Sequence, residues 1–340
     1  MNREKNTLYE SNRVLPWIKM LRTRLSPLKK GVQKFVFGLP AFEFIVADIT
    51  DNCNLRCPFC INDFRQASKN VFMTSTTFDK MVDLLPLVPN GKFFLSCLFE
   101  PSLHPQFFEF LERIPPRLRK KAAFTTNLSK AFSDDDIRRL SRIKLHHINI
   151  SLETFDSARY EKLRRGGRFE QFMVNLERIG RRFSESADAP SLRFITVILQ
   201  ANLAEIPEIV ETCSVKYRSI GHELRYVYEA PHLSLDWKKE NLPAAVEWER
   251  LKRWAKGIPY PNDVVPPPPG YFARDLQPYG RPVESVSGLR TPAPAARPLA
   301  ALQIDSRGRV TLSGTDIHTG LDAVRTPRRF IKKWARSRNI

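Results

Sequence analysis

The sequence Cys53-Asn54-Leu55-Arg56-Cys57-Pro58-Phe59-Cys60 places three of the five cysteines in one short segment. A thiolate is a soft, strongly donating ligand, and three of them within a few residues suit zinc or an iron-sulfur cluster. Structural zinc usually takes four ligands in two pairs, and no such Cys or His pair follows downstream. The segment therefore predicts a metal centre with one open position. The alternative is a chance group of buried thiols, but core cysteines follow hydrophobic periodicity and do not gather around Pro and Arg.

Apolar runs rich in β-forming residues alternate with helical stretches on either side of this segment. Strands are predicted at residues 44–49, 92–98, 122–126, 147–152, 192–199 and 224–228, and helices at 78–85, 106–113, 134–141, 156–183 and 206–217. This alternation is typical of a parallel sheet covered by helices. The cysteine segment directly follows the first strand, and the sites of β/α barrels lie at the carboxyl ends of their strands.

The C-x3-C-x2-C spacing, with an aromatic residue before the last cysteine, resembles the signature loop of radical S-adenosylmethionine (radical SAM) enzymes. The resemblance covers about residues 42–230 and implies an α/β fold, a partial (β/α)6 TIM barrel. It also implies that Cys53, Cys57 and Cys60 bind three irons of a [4Fe-4S] cluster whose fourth iron binds S-adenosylmethionine. Phe59 would pack against the adenine and shield the cluster, although it could equally be a loop anchor. In this family the cofactors supply the radical chemistry, and the protein binds and orients them.

Later strand ends resemble the family's cofactor-binding positions. Glu100, in Leu98-Phe99-Glu100-Pro101, falls on the acid that accepts a hydrogen bond from the ammonium of S-adenosylmethionine, but the family's two glycines are replaced by Leu98 and Phe99. Asn127 matches a ribose-facing position and is also a plausible turn residue. Ser151 and Arg164 match positions that bind the methionine carboxylate, a role that suits a hydroxyl and a forked guanidinium. Arg164 could instead be one more charge on a solvated helix face.

Two cysteines remain outside the segment. Cys97 lies at the end of the second strand, near the predicted site. Some radical SAM epimerases use a thiol to return a hydrogen atom to the substrate, so Cys97 is a candidate catalytic donor; the alternative is an ordinary buried residue. Cys213 falls in a helical run and is predicted to be core. Since no cysteine follows Cys213, a second cluster held by C-terminal cysteines is excluded.

Positive charge is distributed unevenly along the chain. Residues 1–40 carry nine Lys or Arg against two acids, and residues 325–340 carry seven with no acid, out of a net charge of +19. These basic termini are either solvated tails or surfaces that dock an acidic electron donor, an anionic substrate or a membrane surface. The amphipathic helix predicted at 14–28 could likewise cover the core. Because the middle of the chain is nearly neutral, the composition argues against nucleic-acid binding.

Four segments are predicted: a basic amphipathic segment at 1–40, the radical SAM core at 41–235, a proline-rich connection at 236–298, and a short hairpin with a basic tail at 299–340. The hairpin resembles the start of the C-terminal extension, of SPASM or Twitch type, that binds auxiliary clusters in many radical SAM maturases. Without cysteines it would be a remnant of that extension. No apolar run reaches the roughly 18 residues of a membrane-spanning helix, and no signal peptide is recognisable, which together predict a cytoplasmic protein.

The sequence thus predicts an enzyme that cleaves S-adenosylmethionine at a single cluster and abstracts hydrogen from a polar small molecule, such as a sugar, a nucleoside or a natural-product intermediate. The reaction is expected to be redox-neutral, with dehydrogenation as the exception if the cluster takes the electron back. A flavodoxin- or ferredoxin-type donor would supply the electron. Two alternatives stay open: a radical SAM enzyme that modifies a peptide or RNA, and a degenerate protein that binds cluster and cofactor without catalysis.

Overall fold

The structure is a computed structural model of the full chain. It describes residues 35–36, 39–40, 44–63, 70–96, 98–228, 230–265, 267, 271, 302–305, 307 and 310–312. The helix predicted at 14–28, Cys97, most of the proline-rich connection and the basic tail at 325–340 lie outside these residues.

Within the described residues, a nine-stranded sheet organises the chain. Its strands are β3 (Ile45–Ala47), β4 (Phe93–Leu95), β5 (Ala122–Thr126), β6 (His147–Ser151), β7 (Ser191–Val197), β8 (His222–Arg225), β9 (Asn262–Val264), β10 (Leu302–Ile304) and β11 (Val310–Leu312), while β1 (Phe35–Val36) and β2 (Leu39–Pro40) form a separate antiparallel pair. The order is β11-β10-β3-β4-β5-β6-β7-β8-β9, and β3 to β9 are parallel neighbours in sequence order. The six predicted strands are confirmed.

Helices cover one face of this sheet, except for the one at Leu235–Asn241, whose Trp237 packs with the cluster of Phe59 and Val197. They are α1 (Ser75–Val82), α2 (Phe107–Arg113), α3 (Asp134–Arg142), α4 (Ser157–Leu163), α5 (Phe169–Ser184), α6 (Ile206–Val215), α7 (Leu235–Asn241) and α8 (Ala245–Gly257). Helix α3 starts as predicted, because Ser133 and Asp136 cap each other's backbone N–H groups in a capping box. Apolar side chains of α1 to α3, α5 and α6 form one core with every second residue of β3 to β7.

The residues between those core positions form the opposite face of the sheet, which we call the inner face. On β6, Asn149 alternates with the core residues Ile148 and Ile150. On β8, Glu223 and Arg225 flank Leu224, which packs with Trp248 of α8. Helices on one face and polar residues on the other give the open, partial barrel that the sequence predicts.

One predicted helix is interrupted. The stretch predicted as a single helix at 156–183 is two helices, because the chain turns at Gly166, whose φ is +90°. The turn brings the backbone against the cysteine segment: the Arg56 N–H donates to the Arg165 carbonyl at 2.7 Å. A Cβ at Gly166 would lie 3.0 Å from the Asn54 carbonyl oxygen, so this close approach favours glycine.

The segment predicted as a proline-rich connection from residue 236 begins with regular structure, since residues 236–264 contain two helices and a strand. Ser234 caps α7 by accepting from the Trp237 N–H at 3.1 Å, and α8 buries Trp248, Leu251 and Ala255. Strand β9 then adds a seventh parallel strand beside β8. The regular core therefore runs about thirty residues past the predicted boundary.

The predicted C-terminal hairpin is confirmed as an antiparallel pair of β10 and β11. Its first strand pairs in parallel with β3, so the hairpin extends the sheet at the edge next to the cysteine segment. Its relation to the SPASM or Twitch extension stays a prediction. Within the part of the chain that the structure describes, no helix is both long and apolar enough to cross a membrane.

Candidate functional site

The cysteine segment forms a loop at the carboxyl end of β3, as predicted. At least three distant parts of the chain hold this loop, and one of them, Asn127, is described below. The first is the turn after α4, through Arg56 and Arg165 as described above. The second is His232, whose Nε2 lies 2.8 Å from the Cys60 carbonyl oxygen and donates to it, since a carbonyl can only accept. The loop is thus fixed by residues of the middle and of the far end of the domain.

Each of the three loop sulfurs receives at least one N–H donor. The Cys53 sulfur accepts from the Leu55 backbone at 3.5 Å and from Asn127 Nδ2 at 3.6 Å. The Cys60 sulfur accepts from the Asn62 backbone at 3.4 Å. The Cys57 sulfur lies 3.9 Å from a terminal nitrogen of Arg164. Such donors stabilise thiolates, and hydrogen bonds to sulfur tune the potential of iron-sulfur clusters.

Burial keeps the thiols of Cys53, Cys57 and Cys60 protonated unless a cation binds them. Burial raises the pKa of Cys53 to about 12 and that of Cys57 to about 11, and it also raises the pKa of Cys60. A bound metal deprotonates a coordinating thiol outright, which the nearby N–H groups alone do not achieve. Three thiols in one loop, each with an N–H donor, therefore form a donor set that fits an iron-sulfur cluster. No three His, Cys, Asp or Glu side chains among the described residues converge on a single metal ion.

Phe59 turns into an apolar cluster that lies beside the cysteine loop. It packs with residues from four other segments of the chain: Leu163, Leu199, Val227, Ala230 and Leu233. The guanidinium carbon of Arg164 lies 5.7 Å from the centre of its ring. Phe59 therefore anchors the loop, and its predicted contact with adenine stays a prediction.

Glu100 is fully buried at the end of β4 and accepts four hydrogen bonds. Its Oε1 accepts from the Ser102 hydroxyl at 2.6 Å, the Ser102 N–H at 3.2 Å and the Thr126 hydroxyl at 2.9 Å. Its Oε2 accepts from the Asn127 N–H at 2.6 Å. Burial raises the pKa of this carboxyl, whereas the four donors oppose the rise. These donors orient Glu100 rigidly, and Oε2 retains the capacity to accept one more hydrogen bond.

Arg164 is buried, so its interpretation as a charge on a solvated helix face is wrong. Its Nε and one terminal nitrogen bind both oxygens of the fully buried Glu153, the second at 2.7 Å. Although burial alone would lower it, Glu153 and Cys57 raise the pKa of Arg164. The guanidinium therefore bridges a fixed carboxylate and a loop sulfur. Its predicted contact with a cofactor carboxylate would use the terminal nitrogen that faces Cys57.

Asn127 serves the turn role considered for it and also contacts the cysteine loop. Its side-chain oxygen accepts from the Ser129 N–H at 2.9 Å, which is the turn role. Its Nδ2 donates to Asn54 at 3.0 Å and to the Cys53 sulfur, which ties the end of β5 to the cysteine loop. Ser151 is half-buried on the inner face, as the last residue of β6. Neither a ribose contact for Asn127 nor a carboxylate contact for Ser151 has been tested.

The structure thus joins Cys53, Glu100 and Asn127 in one contact network and joins Cys57 to Arg164 in another. Sequence reasoning missed Glu153 and His232. An acid directly after a predicted strand is the signal that could have found Glu153. Nothing local marks His232, which reaches the loop across 172 residues. Cys97, the candidate donor, lies outside the described residues.

A partial α/β barrel, with helices on one face of its sheet and a three-cysteine loop after its first core strand, is typical of one class of enzyme. A family model of the radical SAM superfamily matches residues 48–213. Residues 48–213, just under half of the chain, therefore form a radical SAM domain, and enzymes of this superfamily use a [4Fe-4S] cluster and S-adenosylmethionine.

Curated relatives lie in the same superfamily. A probable GTP 3',8-cyclase of Methanococcus maripaludis is 24% identical over 183 residues, which cover 54% of this chain and 58% of the relative. The GTP 3',8-cyclase of Chlorobaculum tepidum is 28% identical over 175 residues, covering 50% of this chain and 49% of the relative. The chain therefore matches only about half the length of these relatives.

Solved structures share the fold. Streptococcus suis SuiB bound to S-adenosylmethionine superposes with a TM-score of 0.59 at 16% identity, covering 85% of this chain and 66% of the other. SuiB bound to its precursor peptide SuiA gives a TM-score of 0.57 at 14% identity, over 85% of this chain and 65% of the other. At these identities the likeness concerns the fold alone.

Proposed function

We propose that this chain binds one [4Fe-4S] cluster through Cys53, Cys57 and Cys60 and uses it to cleave S-adenosylmethionine reductively. The observation that carries the proposal is the donor set of the loop, in which each of the three sulfurs receives an N–H group at the carboxyl end of β3. When bound, the cluster and S-adenosylmethionine supply a 5'-deoxyadenosyl radical that removes a hydrogen atom from the substrate.

The remaining roles belong to the chain's own side chains. Glu100, oriented by four donors, accepts a hydrogen bond from the ammonium group of S-adenosylmethionine through Oε2. Asn127 and Ser151 face the ribose and the methionine end, and Arg164 offers its terminal nitrogen to the carboxylate. Phe59 and the apolar cluster around it exclude water from the loop, which limits side reactions of a radical. Cys97 stays a proposal as a hydrogen-atom donor.

We propose a polar small molecule as the substrate and a redox-neutral outcome. The printed names of the relatives support a small polar substrate, since GTP is a nucleotide. The absence of cysteines after Cys213 supports a single cluster, which leaves no second cysteine-bound centre in this chain to take an electron from the product. A flavodoxin- or ferredoxin-type protein would supply the electron, and both this donor and a cytoplasmic location are parts of the proposal.

A peptide substrate is the second candidate. It is favoured by one observation, the fold shared with SuiB over 85% of this chain, because SuiB has been solved with a bound precursor peptide. Release of a modified peptide in place of a modified small molecule would distinguish the two.

The proposal is tested by anaerobic reconstitution of the full chain with iron and sulfide, followed by reductant and S-adenosylmethionine. About four irons per chain and formation of 5'-deoxyadenosine are expected. Cys57→Ala should lose the cluster, measured as iron content and as visible absorbance. Cys213→Ala is the matched control, because this buried thiol of α6 belongs to the core. A fully loaded cluster that yields no 5'-deoxyadenosine would favour the degenerate, non-catalytic alternative.

A further inference from the structure

The turn at the end of β5, residues 127–129, has a backbone conformation that depends on its surroundings. Leu128 has a φ of +56°, in the left-handed region that residues other than glycine rarely occupy. Such a conformation persists only where neighbouring groups fix it. Here the Leu128 N–H donates to the Thr126 hydroxyl at 3.0 Å, and Asn175 Nδ2 donates to the Leu128 carbonyl at 2.9 Å. Contacts that fix this turn also fix Asn127, its first residue.

Ser129, the last residue of the turn, orients the side-chain amide of Asn127. The Ser129 N–H donates to Asn127 Oδ1 at 2.9 Å. This bond leaves Nδ2 of the same amide to donate to Asn54 and to the Cys53 sulfur. The Ser129 hydroxyl donates to the Asn127 carbonyl at 3.2 Å, since a carbonyl can only accept. The single hydroxyl proton of Ser129 is used in that bond, so the Ser129 oxygen can only accept from a further neighbour.

Tyr160 of α4 is that neighbour. Its hydroxyl oxygen lies 3.2 Å from the Ser129 hydroxyl oxygen, and Tyr160 donates because the serine proton is used elsewhere. Tyr160 is fully buried, and burial raises its pKa to about 12, so the phenol keeps its proton at neutral pH. Its ring packs with Phe169 and Phe172, whose ring centres lie 5.5 Å and 5.1 Å away. A buried phenol in a fixed position therefore begins a series of hydrogen bonds that ends at the Cys53 sulfur.

Tyr160 also contacts the second network of the site, which joins Arg164 to Cys57. The Arg164 N–H donates to the Tyr160 carbonyl at 2.7 Å, at the end of α4. This contact uses the backbone of Tyr160, whereas the contact with Ser129 uses its hydroxyl. Removal of the hydroxyl alone therefore leaves the contact with Arg164 in place and breaks the series that leads to Cys53.

We propose that Tyr160 is a positioning residue that holds the Asn127 amide against the Cys53 sulfur and so raises the reduction potential of the cluster. It acts through Ser129. A hydrogen bond to a ligand sulfur stabilises the reduced cluster more than the oxidised one, because the reduced cluster carries more negative charge. Contacts behind the ligands of a metal commonly orient and tune them in this way. The inference deepens the proposed function and rests on it, because it needs the cluster.

The test measures the reduction potential of the reconstituted full chain by anaerobic redox titration, followed by electron paramagnetic resonance. Tyr160→Phe should lower the equilibrium constant for one-electron reduction by roughly threefold, which corresponds to about 30 mV. Ser129→Ala interrupts the same series one step later and should lower the potential by a similar amount. Tyr217→Phe is the matched control and should leave the potential unchanged, because it removes a hydroxyl that donates to Glu177 of α5 at 2.7 Å. Iron content is measured in every variant, so that only fully loaded proteins are compared.

Asn127→Ala tests whether the effect of Tyr160 passes through the amide. This variant removes the side-chain donor to Cys53, so it should lower the potential at least as much as Tyr160→Phe. Adding Tyr160→Phe to Asn127→Ala should then produce no further change, whereas a general loosening of the site would add to it. Equal potentials for the unsubstituted chain and Tyr160→Phe, or additive effects in the double variant, would overturn the proposal.

Formation of 5'-deoxyadenosine by the same proteins separates this inference from the proposed function. A loaded cluster that shows the expected shifts and yields no 5'-deoxyadenosine would refute cleavage of S-adenosylmethionine and leave the role of Tyr160 standing. Cleavage with equal potentials in all variants would refute only the role of Tyr160. A chain that takes up no cluster would refute both.

Discussion

Replacing Arg164 by methionine tests the buried ion pair that joins the cysteine loop to the end of β6. Glu153 is fully buried, and both of its oxygens bind the Arg164 guanidinium; the Val197 N–H is a further, longer donor to this carboxylate at 3.5 Å. Removal of one partner from a buried pair leaves an uncompensated charge and costs about 3–5 kcal/mol. We expect Arg164→Met to lose that much free energy of unfolding, measured by urea denaturation at pH 7.

The pH dependence and a double variant sharpen this prediction. Without Arg164, burial raises the pKa of Glu153 against the weaker opposition of the Val197 N–H, so the carboxyl takes up a proton as the pH falls and the destabilisation should shrink toward pH 5. Arg164→Met combined with Glu153→Gln should recover about 2 kcal/mol of the loss. Arg138→Met, which breaks a half-exposed pair with Asp135, should cost about 0–1 kcal/mol. A loss below about 1 kcal/mol for Arg164→Met, or a double variant less stable than the single one, would refute the reasoning.

Two further predictions concern His147 and Glu100. Burial, reinforced by His146, Arg193 and Lys92, lowers the pKa of His147 to about 4, so its neutral form stabilises the fold above its unfolded pKa and that stability is lost as pH falls from about 6.5 toward 4. This residue should remove about 2 kcal/mol of unfolding free energy between pH 7 and pH 5, and His147→Gln should flatten the dependence; an unchanged slope would contradict the assignment. Glu100→Gln should weaken binding of S-adenosylmethionine by roughly 10- to 100-fold in calorimetry, because a charged acceptor for the ammonium is lost; unchanged affinity would remove Glu100 from the proposed site.

The parallel strands of the core could be predicted from the sequence, because each is a short apolar run and stretches with helical periodicity lie between them. Strand β9 could not be predicted, since Asn262–Val264 has no apolar run and lies among prolines. It exists because the exposed edge of β8 pairs with it: the His222 N–H donates to the Pro261 carbonyl at 3.0 Å, and the Val265 N–H donates to the Leu224 carbonyl at 2.9 Å. Pairing of that kind depends on a neighbouring strand, which local sequence does not encode.

The candidate site also contains residues that the sequence predicts and residues that depend on tertiary contacts. The cysteine spacing is local, so the ligand loop could be predicted, and Glu100 follows directly from its place after a strand. The bidentate pair of Glu153 and Arg164 depends on the turn at Gly166, which the helical periodicity of 156–183 concealed. The ion pairs of Glu223 with Arg193 and Arg225 depend on which of the alternating residues in β7 and β8 face inward. That is decided only when Leu192, Phe194 and Leu224 are packed under their helices.

The hydrogen bond between His232 and Cys60 has a consequence for the order of events during synthesis. A ribosome makes Cys60 long before Asn127, Arg165 and His232, so the loop emerges without these anchors and waits for β4 to β8 to be made and paired. Contacts of such long sequence separation form late, because the intervening chain must first be ordered. The thiols of the loop are therefore present for much of synthesis before their distant contacts have formed. During that time, oxidation or binding of another metal competes with insertion of the cluster.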